Sequence, residues 1–303
     1  MMSKTANKTF FVCDGSGALR KKIDGKNITQ FHVTTNSVSF LNASKVNKLV
    51  SFYQKNKIDV VIFNSPKDLK LGGKAAKKAG IETIVYRRGI AVEVKKKQLN
   101  EKLFRDVVTH FIFNSEATKN LLQKHYIEII ATKNTAIIYN AIEFPKESSN
   151  TIKKTTPAII IGNAGRLVEQ KGQHFLIDIA IELNKRSLDF KIQIAGDGQL
   201  QQELAQKIKA ENLSDQVELL GFVEDMKSFM QQVDIFVSTA LWEGFGFVLA
   251  EAMVYQKPVL AFNLSSNPEL IINGENGFLI TPKNCVEFAD KLEALITDAS
   301  LRK

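Results

Sequence analysis

The sequence predicts an α/β protein with parallel sheets and crossover helices, divided into two domains. Three observations predict it. Short apolar runs alternate with amphipathic stretches along all 303 residues, the pattern of buried strands joined by helices. That length suits about two domains. A polar segment bracketed by Pro145 and Pro157 interrupts the alternation and has the composition of a linker. The expected boundaries are a first domain over 1–145, a linker over 146–156 and a second domain over 157–303.

In the first series, strands are expected at Thr9–Val12, Phe31–Val33, Val60–Phe63, Thr83–Tyr86, His110–Phe113 and Ala136–Ile138, each rich in β-branched or aromatic residues. Helical spacing of apolar residues places helices near Lys45–Gln54, Leu69–Ala79 and Ala117–Lys124. In the second series, strands are expected at Ile159–Ile161, Lys191–Ala195, Val217–Leu220, Ile235–Ser238, Val259–Ala261 and Gly277–Ile280. Helices lie between them near His174–Asn184, Leu200–Glu211, Asp225–Gln231, Phe247–Gln256, Pro268–Ile272 and Val286–Ile296.

Composition narrows the class. A hydrophobic content of 44% is enough for two cores, and no apolar run reaches the length of a membrane span. No secretory signal opens the chain, so a cytoplasmic protein is expected. Cys13 and Cys285 stand far apart without a Cys-x-x-Cys pair, which points away from a disulfide framework or a zinc site. The net charge is +9, with lysines clustered at Lys4–Lys26, Lys67–Lys78 and Lys95–Lys97. Most of this is a solvated surface; the functional reading is attraction to an anionic partner, a phosphorylated acceptor or an anionic membrane face. Nucleic acid ranks below these, because no aromatic stacking platform accompanies the lysines and no nucleic-acid motif is present.

The densest chemical signal is Ser238 to Met253, read with Gly165 to Gly172. The apolar run Val233–Ser238 ends near the Gly244-Phe245-Gly246 turn, and a helix follows from Phe247, so a helix N-terminus lies at the carboxyl edge of a strand. Unpaired amides, a positive dipole end and glycines suit a diphosphate there. Glu243 precedes that helix and Glu251 lies on it, about 6 to 8 Å further along the axis at ~1.5 Å per residue. Carboxylates repel phosphate but accept from hydroxyls, so this pattern suits a nucleotide with sugars on both sides of its phosphates. A cation is needed close by, and Arg166 and Lys171 follow another apolar strand.

In these residues the chain resembles the large retaining glycosyltransferase family usually called GT4, or glycosyl transferases group 1. The resemblance rests on an ordered set: Gly165-Arg166 with Lys171-Gly172, Ala195-Gly-Asp-Gly198, Leu220-Gly-Phe222-Val223, Glu243 with Glu251, and Asn273 to Gly277 with Phe278. It covers residues 157 to 282. It implies a GT-B fold, two Rossmann-like domains with a cleft between them. It also implies transfer of a hexose from a nucleotide diphosphate sugar, the donor substrate, to an acceptor hydroxyl with retention, in cell-envelope polysaccharide or lipopolysaccharide synthesis. By the same resemblance Arg166, Lys171 and the amides of Phe245, Gly246, Phe247 and Val248 hold the diphosphate. Glu243 faces the donor sugar, Glu251 holds the ribose, Gly165 opens the first loop, and Phe222 and Val223 sit near the base. No cofactor and no metal are expected.

The N-terminal half departs from the family. About one strand–helix unit, roughly 30 residues, is expected to be missing before Phe10, and relatives continue past Lys303. Where relatives carry a histidine after the fourth strand, this chain has Val85-Tyr-Arg-Arg88-Gly89. Arg88 cannot serve as a base and is read as a donor- or acceptor-binding group. Ser115 reads as a helix cap. His174 at a helix start could touch phosphate but reads first as solvated; His32, His110 and His125 read as structural, and Trp242, which could stack on a sugar, reads first as loop packing. Two other classes stay open. A nucleotide-sugar 2-epimerase type of isomerase needs acid and base residues that the sequence does not show, and a non-catalytic nucleotide-sugar-binding subunit remains compatible with the shortened first half.

Overall fold

A computed structural model describes residues 8–13, 28–36, 38–144 and 158–302. The linker expected at 146–156 and most of the lysines between Lys4 and Lys26 lie outside these residues. The chain forms two compact units: one comprises 1–88, 94–112 and 123–136, the other 89–93, 113–122 and 137–303.

In the first unit, strands β1 (Phe10–Cys13) and β2 (Thr29–His32) pair in parallel. Helix α1 (Ala43–Lys55) packs on them through Phe52, which stacks on Phe31 at 4.0 Å and meets Phe10 edge-on at 5.6 Å. Val46, Leu49, Val50 and Tyr53 form its buried stripe, at the i, i+3, i+4, i+7 spacing of one helix face. Its start is set by Asn42, whose side chain accepts from the Lys45 amide at 3.1 Å. A four-stranded sheet has the order β3 (Val60–Phe63), β4 (Thr83–Arg88), β5 (His110–Phe113), β6 (Asn134–Ile137). Between β3 and β4 run α2 (Pro66–Asp68), a π-helical turn (Leu69–Gly73) and α3 (Lys74–Ala79). After β4 comes α4 (Gln98–Asp106), and α5 (Glu116–Ala131), whose residues 116–122 are counted with the second unit, joins β5 to β6. Tyr86, Phe104, Phe111 and Tyr126 fill the core beneath, with ring centroids 5.0 to 6.1 Å apart. Tyr126 breaks helical geometry inside α5 and ties its hydroxyl to the backbone, accepting from the Lys97 amide and donating to the Lys95 carbonyl.

The second unit is built on a six-stranded sheet in the order β12 (Phe278–Ile280), β11 (Val259–Phe262), β10 (Ile235–Ser238), β7 (Ile159–Ala164), β8 (Phe190–Ala195), β9 (Val217–Gly221), with every pairing parallel. Both faces are covered, so the strands are apolar on both sides, as an all-parallel sheet requires. Ile161, Ile235 and Val237 join one core with helices α6 (His174–Asn184), α7 (Gln201–Ala210) and α11 (Cys285–Thr297). Their strand neighbours Ile160 and Phe236 join the opposite core with α8 (Met226–Gln232), α9 (Phe247–Val254) and α10 (Asn267–Leu270). The strict alternation along each strand is the period-2 pleat expressed as packing.

The expectation of an α/β protein with parallel sheets and crossover helices holds. The differences are local. Helix α4 was not expected, β7 extends three residues further than the expected Ile159–Ile161, and α10 ends at Leu270, two residues before the expected Ile272.

Candidate active site

The strand order of the six-stranded sheet reverses at β7, which has β8 on one side and β10 on the other. The loops leaving β7 and β10 therefore diverge, opening a crevice at the carboxyl edge of the sheet. Those loops are residues 165–173 and 239–246, the two segments singled out in the sequence.

Before they part, the two loops are joined by one main-chain bond and two from side chains to backbone carbonyls. The Leu241 amide donates to the Gln170 carbonyl and the Gln170 side-chain amide to the Trp242 carbonyl, each at 2.8 Å, and the Thr239 hydroxyl donates to the Lys171 carbonyl at 3.3 Å. Gly172 makes the close approach possible. It ends a 3-10 turn (Glu169–Lys171) at φ 61, and a β-carbon there would run into the Thr239 carbonyl oxygen. Trp242 thus serves the loop through its backbone.

The same stitching brings Lys171 and Glu243 together. They form an ion pair with side chains 19% and 14% exposed, 72 residues apart in sequence. The Glu243 backbone is held by two serines: its amide donates to Ser265 Oγ at 3.1 Å, and its carbonyl accepts from Ser265 Oγ at 2.6 Å and from Ser266 Oγ at 3.2 Å. One hydroxyl does both jobs because it carries a donor and two acceptor sites. Ser266 is fully buried and Ser265 sits at φ 55, so this brace is a shaped turn. Arg166, by contrast, is exposed, and its guanidinium has no partner among the described residues.

Helix α9 begins at Gly246, which adopts φ 86 and ψ 51, and no side chain caps the helix. The amides of its first turn are left to solvent or a ligand, at the positive end of the dipole. A small pocket at this point is lined by Asn163, Lys171, Ser238, Glu243, Gly246 and Val248. Asn163 is buried; its amide nitrogen donates to the Val237 carbonyl at 2.8 Å, while its Oδ1 has no partner among the described residues. Phe245 is buried, and its ring lies 5.4 Å from that of the half-exposed Phe247. Glu251 lies one turn into α9. Burial pushes its carboxyl above the usual range, and no described residue donates to it.

The remaining predicted residues line the same sheet edge. The Gly165 amide donates to the Ala195 carbonyl at 2.9 Å and the Gly196 amide to the Gly221 carbonyl at 2.7 Å, so the ends of β7, β8 and β9 are linked stepwise. Val223 packs into the core beneath, while Phe222 is 74% exposed, a ring presented to solvent at the end of β9. Arg88 ends β4 in the other compact unit and is buried, two residues along the strand from the buried Tyr86. His174 packs against Phe175 and burial lowers its pKa.

Sequence reasoning missed Glu269. Its carboxylate accepts from the amides of Glu116 at 2.7 Å and Ala117 at 2.8 Å and from the Tyr139 hydroxyl at 3.1 Å. It caps the first turn of α5, alongside Ser115, whose hydroxyl accepts from the Thr118 amide. Tyr139 in turn lies 6.4 Å from Phe245, and its phenol is pushed up by burial and by the Glu269 carboxylate. A Glu directly after Ser-Asn-Pro gave no signal, since its partners lie over a hundred residues away. Among the described residues, no group of three or more His, Cys, Asp or Glu is placed to hold a metal ion.

The family model described as glycosyl transferases group 1 matches residues 145–303, slightly more than half the chain. The chain belongs to this family. The alpha-D-kanosaminyltransferase of Streptomyces kanamyceticus is 32% identical over 48% of this chain, a match spanning 38% of its own length. The UDP-Gal:alpha-D-GlcNAc-diphosphoundecaprenol alpha-1,3-galactosyltransferase of Escherichia coli is 26% identical over 96% of this chain and 80% of its own. Among solved structures, Anabaena Alr3699/HepE in complex with UDP superimposes with a TM-score of 0.80 at 26% identity, over 97% of this chain and 83% of that one. The family match contains every predicted site residue except Arg88.

Proposed function

We propose that this chain is a retaining hexosyltransferase, moving a hexose from a nucleotide diphosphate sugar to the hydroxyl of a glycan or glycolipid acceptor in cell-envelope polysaccharide synthesis. The observation that carries the proposal is the stitched pair of loops at the β7/β10 switch point, where Lys171, Glu243 and the uncapped start of α9 converge. In this reading the diphosphate lies on the α9 amides between Arg166 and Lys171, whose positive charge stabilises it as it leaves. Glu251 accepts from the ribose hydroxyls and Phe222 lies against the base. Lys171 is shared: it pairs with Glu243 and turns toward phosphate when donor arrives, which frees Glu243 to accept from a sugar hydroxyl.

The acceptor oxygen attacks the anomeric carbon from the face that the diphosphate leaves. The anomeric C–O bond to phosphate breaks, the new C–O bond forms, and the acceptor proton passes to the departing phosphate oxygen. Donor binding is expected to need no metal. The lipid diphosphate acceptor named for the Escherichia coli relative makes a lipid-linked glycan the favoured acceptor class and peripheral contact with an anionic membrane the favoured location. No helix among the described residues is long and apolar enough to cross a membrane.

The test is transfer from a panel of nucleotide sugars to lipid-linked and free glycan acceptors, with the anomeric configuration of the product read by NMR. An inverted product refutes the retaining mechanism. Conversion of the donor to its epimer without acceptor, or donor binding without any turnover across the panel, refutes the transferase reading.

A further inference from the structure

In the first compact unit a groove of about 470 Å³ lies between the segment carrying α3 and the face of α4. Five lysines line it, Lys70, Lys74, Lys77, Lys78 and Lys102, against a single acid, Asp106. The first four recur at i, i+4, i+7 and i+8, so one side of the helical segment gathers them; Lys102 answers from the opposite wall. Their positive charge is not cancelled locally. Lys74 donates to the Phe40 carbonyl at 3.2 Å, Lys77 to the Asp106 carbonyl at 2.9 Å and Lys78 to the Asn47 side-chain oxygen at 2.9 Å, all neutral acceptors. Lys70 and Lys102 have no partner among the described residues. The floor is apolar, from Phe40, Leu99, Leu103 and Val107. Beside Phe40, Leu41 is 68% exposed and Val38 57%.

We propose that this groove is the surface through which the protein docks on an anionic phospholipid bilayer. Ammonium groups around an apolar floor match the boundary between phosphate headgroups and acyl chains, where charge and aliphatic surface are met together. Lysines act as point charges in a diffuse field and do not demand a planar partner. A nucleic acid or a phosphorylated peptide is favoured by arginine forks or stacking rings, and the groove's lining contains no arginine. The proposal rests on the membrane-linked part of the proposed function, but it concerns a different surface from the donor site and is tested separately.

The experiment is co-sedimentation of the full chain with vesicles of phosphatidylcholine alone or mixed with phosphatidylglycerol, at low and high salt. The wild type should bind only the anionic vesicles and release them at high salt. A Lys70→Gln/Lys74→Gln/Lys102→Gln variant should bind them on the order of 100-fold more weakly, since each lysine near such a surface is worth about fivefold. A variant with the same charge change elsewhere, Lys209→Gln/Lys227→Gln/Lys283→Gln, should bind like wild type, and UDP affinity in all three proteins should be equal. Failure of the wild type to bind anionic vesicles overturns the proposal, as does undiminished binding by the groove variant or full competition by soluble glycerol phosphate. Lipid binding without glycosyl transfer would instead sink the transferase reading and leave the groove proposal standing.

Discussion

Replacing Glu251 with glutamine should move stability and binding in opposite directions. Its carboxyl is half-buried on α9 with no donor among the described residues, and burial raises its pKa. A carboxylate whose folded pKa exceeds its unfolded one favours the folded state only while protonated. Stability is therefore full below the ordinary glutamate value and falls as pH rises toward the raised folded value. At neutral pH, above the ordinary glutamate value, the ionised side chain costs stability, and Glu251→Gln removes that cost. The melting temperature of the variant should exceed that of wild type at pH 7 and converge with it in mild acid. Ligand binding should suffer. A hydrogen bond to a charged group is worth about 1.5 to 3 kcal/mol, so affinity for a nucleoside diphosphate should fall by roughly 10- to 150-fold. Differential scanning fluorimetry across pH and calorimetric titration with UDP measure both effects. A variant less stable than wild type at pH 7, or one that binds UDP as tightly, refutes the reasoning.

The other predictions concern the loops around it. Glu243→Gln should leave UDP affinity within a few-fold of wild type or tighten it, because Lys171 is released, while turnover falls; an equal loss of UDP affinity in the Glu243 and Glu251 variants would show that the sugar and ribose assignments are wrong. Lys171→Met should destabilise by about 1 to 3 kcal/mol in urea titration by stranding Glu243, and adding Glu243→Gln should recover part of the loss. Gly172→Ala should cost at least about 1 to 3 kcal/mol, since it joins a left-handed backbone to a collision with the Thr239 carbonyl; urea midpoints measure it. Donor binding should be the same with and without EDTA, and loss of calorimetric signal on chelation would count against the cationic model of the diphosphate site.

The strands of the second unit were legible because a sheet covered on both faces makes every residue of a strand apolar. Ile159 to Ile161 and Ile235 to Val237 announce themselves without reference to partners. Helix α4 was not legible for the opposite reason. It follows three lysines, its N-cap position is Lys97 with no capping side chain, and only Leu103, Phe104 and Asn100 are buried, too few to show a period. In the site, Lys171 and Glu243 were each legible as chemical groups, yet their pairing was not, since it depends on loop bonds across 72 residues. Ser265 and Ser266 read as ordinary turn residues; their role appears only once Glu243 is placed above them. Composition names the chemical groups, and tertiary geometry alone names their contacts.

Glu269 imposes an order on the protein's manufacture. The amide of Glu116 and the carboxylate that receives it are separated by 153 residues. At about 5 to 20 residues per second, a ribosome needs roughly 8 to 30 s to travel that distance. Throughout that interval the start of α5 has only the Ser115 hydroxyl as a local cap, with its first amides turned to water. The first turn of α5 therefore gains its second cap only once residue 269 has been made, long after the helix itself has left the ribosome.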